Sequence, residues 1–165
     1  MPVDAELLKS LIERELAHVS DERVLAHIRS LLVEPKCVHL DWDYGQPGER
    51  YPCWEVLNAH IVYCESGFGP RCPWGLVLLG GEELPSMGMD SGWFPTFMEA
   101  YFDSFPVTDL PIWRVFRTTG SKAREPVTEE DSWDATWKRV YELRESDPAS
   151  RYDCDHSISY EGKRS

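Results

Sequence analysis

An α+β fold with antiparallel pairing is predicted by three features of the sequence. Two stripes of helical period open the chain, the period falls to two after Pro35, and the links between apolar runs are too short for helical crossovers. The expected architecture is an antiparallel sheet of about four strands, with an N-terminal helical hairpin and two further helices packed on it. A length of 165 residues sets the expectation of one domain over 1–165 with a loose polar tail over 147–165, since a chain of this size can bury about 70% of the surface it exposes when unfolded. No internal repeat or linker composition marks a second domain.

The helical hairpin rests on Leu7, Leu8, Leu11, Ile12 and Leu16, then on Val24, Leu25, Ile28, Leu31 and Leu32. Ser20 is the expected N-cap of the second helix, with Asp21 and Glu22 in its first turn against the positive dipole end, and Pro35 is expected to end it. From Lys36, the residues Cys37, His39, Asp41 and Asp43 alternate with Val38, Leu40, Trp42 and Tyr44, the pattern of a half-buried strand with one polar face. A turn follows at Gly45–Gly48, then a strand over Trp54–Cys64, a Gly/Pro loop, and a central strand over Trp74–Leu79. After an irregular stretch from Gly80 to Gly92, the residues Phe94, Phe97, Met98, Tyr101, Phe102 and Phe105 form a core-facing helical stripe with Pro95 in its first turn and Asp90 near its cap. Leu110–Phe116 reads as an edge strand because of Pro111, Thr118–Thr128 as a polar loop, and Glu129–Ser146 as an amphipathic helix carrying Trp133, Trp137, Val140, Tyr141 and Leu143.

Charge is the unusual number. The chain has 17 Lys+Arg against 29 Asp+Glu, a formal net charge of −12. Such a surface repels phosphates and anionic lipid headgroups, which argues against nucleic-acid and membrane partners and for a basic protein partner. From Cys72 to Trp113 the sequence holds no Lys, Arg or His, while Glu82, Glu83, Asp90, Glu99, Asp103 and Asp109 are interleaved with Trp74, Met87, Met89, Trp93 and Trp113. Aromatic and Met side chains are enriched at interface cores. The expected partner-binding residues are therefore Asp41, Asp43, Glu65, Glu82, Glu83, Met87, Met89, Asp90 and Trp93.

Other chemistries have thinner support. His39, Asp41 and Asp43 share a strand face, and His60 would complete a metal site if register brought it opposite; this is the basis of an alternative reading as a metal-dependent enzyme. A Cys–His–Asp set drawn from Cys53 or Cys64, His60 and Asp41 is a further arrangement to check. There is no Gly-x-Ser-x-Gly elbow, no phosphate-binding Gly loop and no Cys-x-x-Cys pair, so no catalytic residue, metal or cofactor is expected. The five cysteines, Cys37, Cys53, Cys64, Cys72 and Cys154, are odd in number and unneeded as staples, which points to free thiols in the cytoplasm, with one bridge between Cys64 and Cys72 as the exception to test. The N-terminus is charged throughout, unlike a secretory signal, and no apolar run approaches the length of a membrane helix.

At Cys64–Pro70, Pro73–Gly75 and Ser86–Phe94 the chain is similar to small acidic bacterial proteins, and its general type resembles the immunity proteins of polymorphic or contact-delivered toxin systems. That resemblance implies a cytoplasmic α+β protein without catalytic residues that blocks a toxin domain; it carries over no residue roles. A homodimer that buries its own aromatics is the third reading.

Overall fold

The computed structural model describes residues 3–41, 46–58, 60–65, 71–77, 92–121 and 123–160. The fold is α+β with antiparallel pairing, but the described residues form eight strands in two sheets, one of five and one of three. The chain divides into two compact units, Met1–Phe105 with Ser159–Ser165, and Pro106–Ile158.

In the first unit, helix α1 (Ala5–Leu16) buries Leu8, Ile12 and Leu16 at i, i+4 and i+8, so the expected stripe is the packed face. Asp4 caps it, its carboxylate accepting the Leu7 N–H at 2.8 Å. Helix α2 (Glu22–Leu31) starts one residue later than the Ser20 cap would place it. Asp21 takes that position because its carboxylate accepts the Arg23 N–H at 2.9 Å, and it also holds the Arg23 side chain, which a serine hydroxyl cannot do. Pro35 does not end this helix. The chain enters strand β1 (Leu32–Asp41) directly, and Pro35 lies buried within it. β1 is the first strand of the sheet and its register slips between Leu32 and Lys36, the edge-and-bulge setting in which a proline costs no ladder bond.

The expected strand over Trp54–Cys64 is two strands, β2 (Arg50–Leu57) and β3 (Ile61–Tyr63), because the chain reverses at Asn58 with the His60 N–H donating to the Leu57 carbonyl at 3.0 Å. Strands β4 (Trp74–Leu76) and β5 (Trp93–Phe94) complete the order β1-β2-β3-β4-β5. The polar-face alternation in β1 holds: Cys37 and His39 are exposed while Leu40 is fully buried with Cys53, Val62, Cys64 and Val77.

Phe94 thus belongs to a strand, and helix α3 (Phe97–Phe102) begins after Thr96 rather than around Pro95. Its first amides are all satisfied: the Thr96 hydroxyl accepts the Glu99 N–H, while Glu15 of α1 accepts the Phe97 and Met98 N–H groups at 3.1 and 2.9 Å. One carboxylate so joins two helices far apart in sequence. The helix ends at Phe102, short of Phe105, which is 76% exposed rather than part of the core stripe. A 3-10 turn spans Phe105–Asp109. Beneath α3, Tyr101 is fully buried and its hydroxyl shares a 2.7 Å hydrogen bond with His27 Nδ1, and Phe102 stacks on Tyr160 with ring centroids 5.1 Å apart.

In the second unit, strand β6 (Trp113–Thr118) is central, flanked by β7 (Glu125–Glu129) and β8 (Arg151–His156). The expected edge position for this segment fails because Pro111 precedes the strand and removes no ladder donor. β7 lies in what reads as a polar loop, and β8 in what reads as a loose tail. Both are held by side chains the pattern does not weigh: Arg114 pairs with Glu129 and Arg117 with Glu125 across β6 and β7, directly opposite in register. Arg124 bridges Asp153 at 2.9 Å and Asp155 at 2.7 Å while lying 4.0 Å over the Phe116 ring. Helix α4 (Trp133–Ser146), capped by Ser132, covers the opposite face of this sheet, where Val115, Val140 and Tyr152 form the core. Arg144 fixes the start of β8 by donating twice to the Tyr152 carbonyl, at 2.6 and 3.1 Å.

Glu15 gives the first prediction. Its burial raises its pKa above the ordinary 4.5, against the lowering effect of the Met98 and Phe97 amides. A carboxyl with a raised folded-state pKa favours folding fully below its unfolded value and loses that contribution as pH rises through the folded value. Glu15→Gln mimics the neutral carboxyl and does not titrate, so its stability lacks this pH dependence. Urea melts from pH 4 upward should show wild-type stability falling relative to Glu15→Gln as pH rises, and a constant or rising difference would refute the assignment.

Candidate docking surfaces

The polar face of β1 is committed to its own sheet. Asp41 lies opposite Arg50 in register, and the two form an ion pair at 3.2 Å. His39 lies opposite Pro52, while His60 precedes β3 and is separated from β1 by the whole of β2. Register therefore does not bring His60 to His39. Among the described residues no group of three His, Cys, Asp or Glu side chains is placed to hold a metal ion.

The nucleophile set fails for a related reason. Cys53 is opposite Val38 in the ladder, so it shares the face of Val38 and Leu40, whereas Asp41 shares the other face with His39. A hydrogen bond with the Cys64 thiol, and then burial, push the Cys53 thiol far above the ordinary range. It is a packed hydrophobe, not a thiolate. Burial, then the carboxylates of Asp155 and Asp153, push Cys154 up to about 12. Cys64 and Cys72 are free thiols like the other three, although the Cys64 N–H does meet the Pro73 carbonyl at 2.8 Å.

Of the expected partner-binding residues, Asp41 is the ion-paired residue just described, and Glu65 is exposed in the turn after β3. Trp93 is half-buried on β5 and packs against the Leu40–Cys53–Val62 cluster. Its ring lies so close to Gly75 that a Cβ there would meet it at 2.7 Å. Asp43, Glu82, Glu83, Met87, Met89 and Asp90 lie outside the described residues. Trp74 and Trp113, which sequence interleaves with the acidic groups, are core residues: Trp74 packs edge-on to Tyr63 and Phe97, and the Trp113 indole N–H donates to the Val107 carbonyl at 3.2 Å.

The exposed aromatics stand elsewhere. Trp133, Trp137 and Tyr141 recur every fourth residue along α4, with successive ring centroids 5.9 Å apart. Trp133 is 38% and Tyr141 59% exposed, while the buried side of the helix is carried by Thr136 and Val140. The Arg144 guanidinium lies 5.7 Å from the Trp137 ring centroid and 5.9 Å from that of Tyr141. The expected amphipathic helix holds: Val140 is buried with Trp137 and Leu143 packed against its cluster, while Trp133 and Tyr141 stay exposed.

Ion pairs within the chain use cations and carboxylates alike and leave the acidic surplus in place. Lys9, Arg23, Arg50, Arg114, Arg117, Arg124 and Arg139 are each bound to a carboxylate of the same chain. Glu13, Glu22, Asp103, Asp109, Asp131, Asp134 and Glu145 are exposed and take part in none of these pairs. No described helix is long and apolar enough to cross a membrane. Comparison with protein-family profiles, curated proteins and solved structures finds no match for this chain.

Two predictions follow from the packing. A thiol reagent at pH 8 should modify exposed Cys37 first and reach Cys53 and Cys64 only as fast as the protein opens; rapid modification of Cys53 would contradict its burial. Gly75→Ala should force the Trp93 ring out of place and cost about 1–3 kcal/mol, seen as a lowered urea midpoint; an unchanged midpoint would mean the ring yields without loss.

Proposed function

We propose that this protein is a non-enzymatic binding protein that captures a basic protein partner, acting in the cytoplasm as an immunity protein does when it occludes a toxin domain. The observation that carries the reading is the surplus of acid: exposed carboxylates such as Glu13, Glu22, Asp103, Asp109, Asp131, Asp134 and Glu145 stand outside the chain's own ion pairs, on a chain with a net charge of −12. An internal ion pair contributes only a short-ranged dipole field, so the unpaired carboxylates dominate what an approaching molecule meets. Such a field speeds encounter with a cationic partner by about ten- to a thousandfold at low salt and repels nucleic acids and anionic membranes. The unassembled His39, Asp41 and His60, together with the protonated, buried Cys53, favour this reading over the metal-dependent enzyme.

The test is chemical cross-linking in the native cell, identification of the captured protein, and stopped-flow association of the purified pair. The partner should be basic and lose its activity on stoichiometric binding. Its association rate should fall at least about tenfold as salt rises from about 20 to 300 mM. An acidic partner, or a rate indifferent to salt, would overturn the proposal.

A further inference from the structure

We propose that the N-terminal half of the aromatic ladder on α4, centred on Trp133, is the docking surface for an arginine-bearing segment of a basic protein; this rests on the reading of the chain as a captor of a basic partner and names the site. The ladder is preorganised. Trp133, Trp137 and Tyr141 hold one another at 5.9 Å spacings, so a ligand need not freeze mobile rings on binding.

The protein itself occupies the C-terminal half of the ladder with a cation. Arg144 sits over Trp137 and Tyr141 at 5.7 and 5.9 Å, within the range at which a ring face attracts a guanidinium, while its donors are used by the Tyr152 carbonyl. Trp133 is eleven residues before Arg144 in the same helix, about 16 Å along the axis. That exceeds the Debye length of about 8–10 Å at ordinary salt, so Arg144 does not repel a second cation there.

Acidic residues flank Trp133 at the start of its helix. The dipole places about half a positive charge at this end, against which stand the carboxylates of Glu130, Asp131 and Asp134. They are not consumed as caps, because the Ser132 hydroxyl accepts the Ala135 N–H at 3.2 Å. Glu130 accepts from the Thr128 hydroxyl at 2.6 Å. The occupant suited to a half-exposed indole flanked in sequence by exposed acidic residues is a guanidinium, which can stack on the ring and pair with a carboxylate. A second copy of this chain, with its own net charge of −12, is repelled overall.

The experiment uses the full chain, a fluorescein-labelled peptide of alternating Arg and Gly, and the same peptide with citrulline for arginine, which keeps the planar head group but not the charge. Anisotropy at 50 mM salt should show the arginine peptide binding at least tenfold more tightly than its citrulline counterpart. Trp133→Ala and Trp133→Leu should both weaken it about five- to tenfold, the second because Leu restores apolar area without a π face. Glu13→Gln, a charge-matched change on α1, should alter it less than twofold. Asp131→Asn with Asp134→Asn should weaken binding and flatten its salt dependence. If both Trp133 variants bind like Glu13→Gln, the ladder is not the surface and capture is by diffuse charge, which overturns the inference and leaves the proposed function standing. If arginine and citrulline peptides bind alike, both fall. A dimer in solution scattering that Trp133→Ala dissociates would assign the ladder to a second copy and also overturn the inference.

Discussion

Guanidinium–carboxylate pairing is the interaction on which most of this architecture turns. In the second unit it replaces the apolar alternation that ordinarily holds a strand: β7 is exposed at four of its five positions, and what joins it to β6 is Arg114 with Glu129 and Arg117 with Glu125. Arg124 does the same for β8 from the face that α4 does not cover, lying on Phe116 and holding two carboxylates at once. Each exposed pair contributes at most about 1 kcal/mol, but a guanidinium that also stacks on a ring and bridges two acids is a more rigid object than an isolated pair. The surface keeps its negative sign because acidic residues outnumber basic ones, 29 to 17.

Much of the first unit was legible in the residues. The spacing of Leu8, Ile12 and Leu16 locates the packed face of α1, and the alternation from Cys37 to Asp41 gives both the strand and its polar side. Both cases involve a segment with one wet and one dry face, the condition under which period alone is decisive. The hairpin at Asn58 escaped because an apolar run on either side of a tight reversal looks continuous. β7 and β8 escaped because their stabilisation comes from partners distant in sequence, which no local pattern encodes.

The site was legible only in kind. Acidic groups beside exposed aromatics are what the composition leads one to seek, and the structure has such a constellation on α4. Sequence places the emphasis between Cys72 and Trp113, where Trp74 and Trp113 are instead core residues. Unbroken negative sign along the chain is a one-dimensional property, whereas which side chains share a face depends on the fold. His39, Asp41 and His60 make the complementary point, since their proximity depended on which strand lies between them.

The stacking of Tyr160 on Phe102 has one more consequence. It returns the end of the described chain to the first unit, so the second unit is an insertion within the first rather than a successor to it. During synthesis Pro106–Ile158 therefore emerges whole before the first unit receives its last aromatic. Its local contacts, with β6 paired to both neighbours and α4 between β7 and β8, can form while that first unit still lacks its closing ring. The order in which the two units mature is thus written into the path of the chain.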